Sequence, residues 1–511
     1  THLQLPSTET SNYRRRRNQT MVSLAVAVII IVVSVLVLRS ALSRTSATLA
    51  NINSIKSLAV LPFKALENDG DDEYLGLGLS DSLITRLSNV RQFVVRPTAA
   101  VLKFNGANQD LLAAGRELNV EGVLDGRIQR QGDRIRVNVQ LVRVRDGAPL
   151  WADTFDEQFT DIFSVQDRIS REVAAALAIK LTSEEQQLLA KRGTDNPEAF
   201  RAYLKGRYAW NKRSTEEINK AIKFFQQAID LDPAYAAAYA GMADCYVSLG
   251  DYGLAAPKEV FPLAKESALR ALEIDDSLAE AHTTLAHINF LYDWNWAGAE
   301  SEYQRAIELK PNYATGHHWY GWFLTAMGRG DEGMREIRRA EELDPLSLII
   351  KANVGTFYYF GRQYEQAIEL QRKVVDADPN FLQGRRKLAF SLEAQGKTDE
   401  AITEWLKVEE QFGTDSAGLA AYRKACQESG IKGYWQQALA FELGEAEKST
   451  GRAASVASYY ARLGDRDHAF IWLEKAYEAR EPWLVYTKIS PVYDNLHSDP
   501  RFAAFLKKMG L

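Results

Sequence analysis

Cysteine is almost absent: Cys245 and Cys426 are the two in 511 residues. So few, so far apart, exclude a disulfide framework and a cysteine-rich zinc site. Both lie in helix-patterned stretches, where a thiol serves as a small buried apolar group. Histidine is scarce as well, with seven. Neither His282 with His287 nor His317 with His318 has the four-residue spacing that sets two imidazoles on one helix face. No Gly-Lys-Ser/Thr follows Gly76-Leu77-Gly78, and no GxGxxG is completed there, so those glycines read as a close approach at a helix start. Serine, histidine and carboxylates show no nucleophile elbow or triad order. A net charge of -5 gives no global attraction for nucleic acid. These absences argue against catalysis, metal, cofactor and nucleic-acid binding through these residues.

One long hydrophobic run is present. Residues 21–38, MVSLAVAVIIIVVSVLVL, carry no charge and as a helix would reach roughly 27 Å, near the hydrocarbon thickness of a bilayer. Arg14, Arg15, Arg16 and Arg17 precede it, against Arg39 and Arg44 after it. That excess predicts a cytoplasmic N-terminus and an exported remainder. A cleaved secretory signal is the rival, with an over-long apolar region and a poor cleavage site at Ser43-Arg44-Thr45. The first residue is Thr1, and initiation at Met21 would discard the arginines. Residues 1–20 therefore read as a linker from a cytoplasmic domain in a longer reading frame, and residues 39–54 as a second linker.

Residues 55–181 alternate strand and helix signals, predicting an α/β domain. SLAVLPF at 57–63 is a short apolar run ended by proline. Leu75, Leu79, Leu83, Ile84 and Leu87 have helical spacing, and Phe93-Val94-Val95 reads as a strand. Residues 120–128, the alternation of Ile135, Val137, Val139, Leu141 and Val144, and residues 149–155 give three more strands. Gln131-Gly132-Asp133 and Asp146-Gly147 supply the turns of an antiparallel hairpin. These motifs, with EYLGLGLSDSLITRLS and LVRVRDGAPLWADTFDEQFTDIFSVQDRIS, closely resemble the TolB-like N-terminal domain found in bacteria upstream of helical repeat arrays. The resemblance implies a preceding transmembrane helix and a cytoplasmic output domain, most commonly a winged helix of the CadC or OmpR type. Adenylate cyclase and serine/threonine kinase outputs are alternatives. It brings no catalytic residue.

From about residue 195 to 480 the pattern is periodic. Markers ending at Pro233, Asp276, Pro311, Pro345 and Pro379 lie 43, 35, 34 and 34 residues apart, close to the tetratricopeptide (TPR) period of about 34. The long first interval accommodates an insertion at 255–261. Small residues recur twelve before each marker, at Ala221, Ala264, Ala299, Gly333 and Ala367. Seven further on stand Ala228, Ala271, Ala306, Ala340 and Val374, where two helices must approach closely. Ala401 with Val408 and Ala469 with Ala476 continue the series, while 414–449 fits poorly. The expectation is an all-α TPR superhelical solenoid of six or seven repeats, capped by residues 481–511.

In the TPR register, helix A positions 2, 5, 9, 12 and 13 line the concave face. Here those positions include Asp244, His287, Phe290, His318, Trp322, Tyr359, Phe360, Arg386 and Phe390. Exposed aromatics with polar neighbours suit an extended peptide or a partner helix. Trp322 is the expected anchor, its truncation weakening partner binding by about 1–3 kcal/mol with little loss of stability. Trp294 and Trp296 read as packing. The functional expectation is a membrane-anchored sensory or scaffold region binding a protein or peptide, most readily part of a transcriptional regulator and compatible with self-association. A stand-alone envelope scaffold and the sensor of a cyclase or kinase are the alternatives.

Overall fold

The computed structural model describes residues 55–65, 73–105, 110–177, 181–446 and 451–511. The apolar run at 21–38, its flanking linkers and Arg14 to Arg17 lie outside them. Among the described residues no helix is long and apolar enough to cross a membrane. Residues 56–176 and 181–511 belong to one compact unit.

The sheet is built from strands β1 (Ser57–Val60), β2 (Lys64–Ala65), β3 (Val94–Val95), β4 (Gly122–Gln131), β5 (Arg134–Arg143) and β6 (Pro149–Gln158). Its order is β3-β1-β4-β5-β6, with β2 also on β4. β1 runs parallel to β3 and β4, whereas β4, β5 and β6 form an antiparallel meander. Sequence dictates the split. β1 is apolar on both faces, and Leu58, Ala59 and Val60 are fully buried, as a parallel strand demands. β5 alternates exposed Arg134 and Arg136 with buried Ile135, Val137 and Val139, as a sheet with one solvated face demands. Helices α1 (Glu73–Leu87), α2 (Leu111–Glu117) and α3 (Ile162–Ala176) complete this part.

After α4 (Ser183–Ala190) only helices follow among the described residues, arranged in antiparallel pairs. The pairs are α5 (Pro197–Asn211) with α6 (Thr215–Leu231), α7 (Ala236–Asp251) with α8 (Pro257–Ile274), α9 (Ala279–Ile288) with α10 (Trp296–Leu309), and α11 (Ala314–Ala326) with α12 (Gly330–Leu343). Then come α13 (Leu348–Phe360) with α14 (Tyr364–Ala377), α15 (Leu382–Ala394) with α16 (Thr398–Phe412), the long α17 (Ser416–Ala446), and α18 (Ala453–Leu463) with α19 (Arg466–Ala479). The irregular stretch is α17 itself: two helices meet at Gly430, whose φ of 58° and ψ of -141° are not helical.

The recurrent small residues sit where the helices touch. Ala221, Ala264, Ala299, Ala367 and Ala401 are completely buried, as are Ala228, Ala271, Ala306 and Ala340. Each marker ends a helix: the amide of Asp275, Lys310, Asp344 or Asp378 donates to the carbonyl four residues back. Proline, which cannot continue a helix, follows three of these four. A second repeat-wide device was not visible in the spacing. His282, His317 and Arg385 hold equivalent places in three repeats. Each contacts a carbonyl six residues upstream, of Asp276, Pro311 or Pro379. Each also pairs with a carboxylate of the following helix, Glu302, Glu336 or Glu404. The histidines are thus rungs between paired helices, fully occupied by protein partners.

The sheet part and the array are joined along the marker turns. The Arg96 guanidinium donates to Leu118 and Asn119 carbonyls on one side and to Leu343 and Glu342 carbonyls on the other. A cation there also complements the C-terminal dipole of α12. Asn312 donates to the carbonyl of Phe93, and Lys191 pairs with Asp275 at 2.5 Å. The glycines of the first helix let it approach both the sheet part and the array. A Cβ on Gly76 would lie 2.0 Å from the Phe63 carbonyl oxygen, and one on Gly78 2.9 Å from Leu204 Cβ of α5. Close approach, not phosphate binding, explains both.

Candidate functional site

The A helices α7, α9, α11, α13 and α15 present the inner face of the array, and the nine residues singled out from sequence fall along it unevenly. Asp244, His318, Trp322, Phe360, Arg386 and Phe390 are half-buried. His287, Phe290 and Tyr359 are buried, Phe290 completely. The expectation that these three line an open groove is corrected: they are packing residues. His287 stacks on Trp319 at 4.1 Å and its Nδ1 meets the Tyr303 hydroxyl at 3.2 Å. Phe290 belongs to a π-turn, Asn289–Asp293, and its ring packs against Trp296, Phe323 and Tyr486. Tyr359 packs between Phe360, Tyr364 and Phe390.

What covers Phe290 is the chain's own C-terminal segment. Residues Pro482–Tyr486 form a short 3-10 helix whose Tyr486 ring reaches three successive repeats. Its centroid lies 5.9 Å from Phe290, 5.1 Å from Trp322 and 6.0 Å from Phe360. Leu484 and Val485 are buried beside it. Arg362 fastens this segment through Asp494 and the carbonyl of Ile489. Arg480 donates to the carbonyl of Tyr292 and lies over Trp294, whose ring also packs on Tyr477. The segment does cap the last helices, burying Leu496, Phe502 and Phe505 against α18 and α19. It also crosses to the middle repeats at Phe290, Trp322 and Phe360, a contact that residues 481–511, lying outside the periodic pattern, do not announce.

Trp322 is therefore shared between two roles. Its ring also meets Phe357 at 5.1 Å, and its Nε1 donates to His318 Nε2 at 3.2 Å. The expected stability-neutral anchor is corrected accordingly. Trp322→Ala should cost about 2–3 kcal/mol of stability, less than a fully buried tryptophan because the residue is half-buried. Urea denaturation of the variant measures this; an unchanged midpoint would show that Tyr486 does not lean on the indole.

Farther along, the floor is polar. His318 Nε2 also meets Asn353 Nδ2 at 2.7 Å. Burial, with Lys387 and His287 nearby, holds its imidazole down to about 3. Lys387 lies 5.5 Å from the Trp322 ring centroid, its ammonium brought down to about 7 by burial and by Arg386. At the other end Asp244 accepts from the Thr284 hydroxyl at 2.6 Å, and burial raises its pKa. Asn353, Lys387, Trp319 and Tyr486 were missed from sequence. Lys387 could have been found as the neighbour of Arg386, and the others offered no local signal. Among the described residues no group of three or more histidine, cysteine or acidic side chains could hold a metal.

Comparison with known proteins bears on both parts. Residues 54–172 match the family described as HilA/YgeH-like transcriptional regulator, second domain. Residues 214–256 and 350–381 each match a tetratricopeptide repeat family. A putative adenylate cyclase 3 of Rhizobium meliloti is 32% identical over 233 residues, 45% of this chain and 39% of that protein. Transcriptional regulator HilA of Salmonella typhimurium is 23% identical over 381 residues, 73% of this chain and 66% of that protein. The chain thus spans less than two thirds of either relative. A solved TPR protein, TTC0263 of Thermus thermophilus, aligns over 36% of this chain and 96% of its own at 17% identity, with a TM-score of 0.32, too loose a superposition to build on.

Proposed function

We propose that this chain is the sensory region of a membrane-bound, HilA-like transcriptional regulator, anchored by residues 21–38 with its bulk outside the cytoplasm. The observation that carries the reading is the joint presence of the HilA/YgeH-like second domain and the TPR repeats in one chain. The inner face of the array takes a protein or peptide, and the Arg96 and Lys191 contacts give a rigid path from array to sheet. The DNA-binding output lies in residues other than these. Two experiments test this. Alkaline phosphatase fused after Lys56 should be active in a bacterial host, and an inactive fusion would sink the orientation. In the native host, removing codons 56–511 should change transcription of a small set of operons. An unchanged transcriptome with loss of an envelope complex would favour the scaffold reading instead.

A second reading has one specific support, the 32% identity to a putative adenylate cyclase over 233 residues. On that reading the same region senses for a cyclase domain, and deletion would alter cyclic AMP before it altered transcription.

A further inference from the structure

Arg385, Lys310 and Arg462, shielded cations of the array, pair with Glu404, Glu280 and Glu393. Lys387 departs from this pattern. Half-buried on α15, it has no acidic partner among the described residues, and the charge it meets is the positive one of Arg386. The groups around it are neutral. Its ammonium lies 5.5 Å from the Trp322 ring centroid. His318, close enough to feel that ammonium, has its Nε2 occupied by Trp322 and Asn353. Asn353 is 4% exposed, and its Oδ1 has no hydrogen-bond partner. A cation shielded from water and set beside its own sign gains by losing its proton, and the Lys387 amine is accordingly brought down to about 7. An amine so placed keeps a free lone pair at neutral pH and becomes a nucleophile.

We propose that Lys387 is a site of reversible carbamylation by dissolved carbon dioxide, its product anion paired with Arg386. The neutral Nζ attacks the carbon of carbon dioxide, an N–C bond forms, and one C=O electron pair moves onto oxygen. Nζ then gives up a proton, leaving a carbamate; nothing is oxidised and no other group departs. The proton passes to solvent, because His318 is held down to about 3 and takes none at neutral pH. Half-burial leaves the amine within reach of a small dissolved gas. The charge of the product selects carbon dioxide over other electrophilic carbonyls. An aldehyde would leave a neutral or cationic Schiff base beside Arg386, whereas carbon dioxide leaves an anion, the counter-charge this cluster lacks. The Arg386 guanidinium suits a carboxylate-shaped group, and the new N–H is a donor of the kind the Asn353 oxygen is missing. The site is independent of any peptide the inner face takes.

Chemical trapping on the full chain in detergent tests this. The protein is equilibrated with isotope-labelled carbon dioxide and bicarbonate, then treated with triethyloxonium, which turns a carbamate into a stable ethyl ester that mass spectrometry locates. At about pH 8 the ester should sit on Lys387 at a yield on the order of tenfold or more above that of lysines with the ordinary pKa of about 10.4. At about pH 6, under the same gas pressure, it should fall about tenfold, because the amine is then mostly protonated. Arg386 and His318, the charged and titratable groups facing it, keep their protonation across that range. Lys387→Arg keeps the charge and removes the nucleophile, so the labelled ester should vanish from this segment while the melting temperature without carbon dioxide stays near the parent's. Arg386→Gln should lower the yield about tenfold or more, the worth of a hydrogen bond to a charged group. A yield on Lys387 no higher than on surface lysines at about pH 8 overturns the site. An Arg386→Gln variant that traps as much as the parent overturns the pairing with Arg386.

Discussion

Tyr486→Ala should destabilise the protein by about 3–5 kcal/mol, the cost of removing a buried aromatic from a packed core. The ring is 8% exposed and meets Phe290, Trp322, Phe360 and Trp483 within 6.0 Å. These partners come from three separate repeats and the turn itself, so no single neighbour can relax to fill the space. Nearby Arg362 would retain Asp494, which keeps the segment from drifting in to close the cavity. Tyr486→Phe keeps the ring and should stay within about 1 kcal/mol of the parent. Equilibrium urea denaturation followed by tryptophan emission measures both, because Trp322 and Trp483 report the site directly. An alanine variant as stable as the parent would mean that the turn is loosely held, and the inner face would then be open along its whole length.

Arg207→Met carries a comparable penalty for a different reason. The guanidinium forks onto Asp81, at 2.8 Å from Nε and 3.1 Å from Nη2. Asp81 is 1% exposed and also accepts from Thr98 Oγ1 at 2.5 Å. Removing the arginine leaves a carboxylate in the seam between α1 and α5 with no counter-charge, which costs about 3–5 kcal/mol. Burial alone would lower the Arg207 pKa, yet Asp81 holds it well above the ordinary value. Adding Asp81→Asn removes the stranded charge while keeping an acceptor for Thr98, and should recover about 1–3 kcal/mol. If the double variant is no better than the single one, the loss comes from the guanidinium's contact with the Trp210 ring rather than from the stranded Asp81 charge.

Much of the architecture was legible because it is local or periodic. Ala221 and its counterparts marked the helix contacts, and Asp146-Gly147 marked the turn before β6. The alternation at Ile135 to Leu141 marked a strand with one solvated face. What escaped joins distant residues. Nothing near Arg96 announces that its guanidinium ends on carbonyls of Leu343 and Glu342. Nothing in PWLVY announces a mate for Trp322. Phe290 was expected in an open groove, but Tyr486, nearly two hundred residues away, lies against its ring, and a repeat register cannot anticipate so distant a cover. The histidines were rightly denied an i, i+4 pairing, but their role as rungs emerged only when Glu302 and Glu336 were seen opposite them.

The clasp between Arg480 and the carbonyl of Tyr292 sets an order on synthesis. Repeat contacts are short in sequence and can form as each helix pair emerges, N-terminal first. The clasp spans nearly two hundred residues and depends on segments 477–496, which follow every repeat in the chain. Until they emerge, Phe290 and Trp322 have no Tyr486 to cover them, so the nascent array carries an apolar strip through most of its production. Non-local closures of this kind are also the slow steps of folding. A chain halted shortly before residue 480 would therefore present a nearly complete helical array with Phe290 and Trp322 uncovered, and emergence of residues 480–496 would cover them.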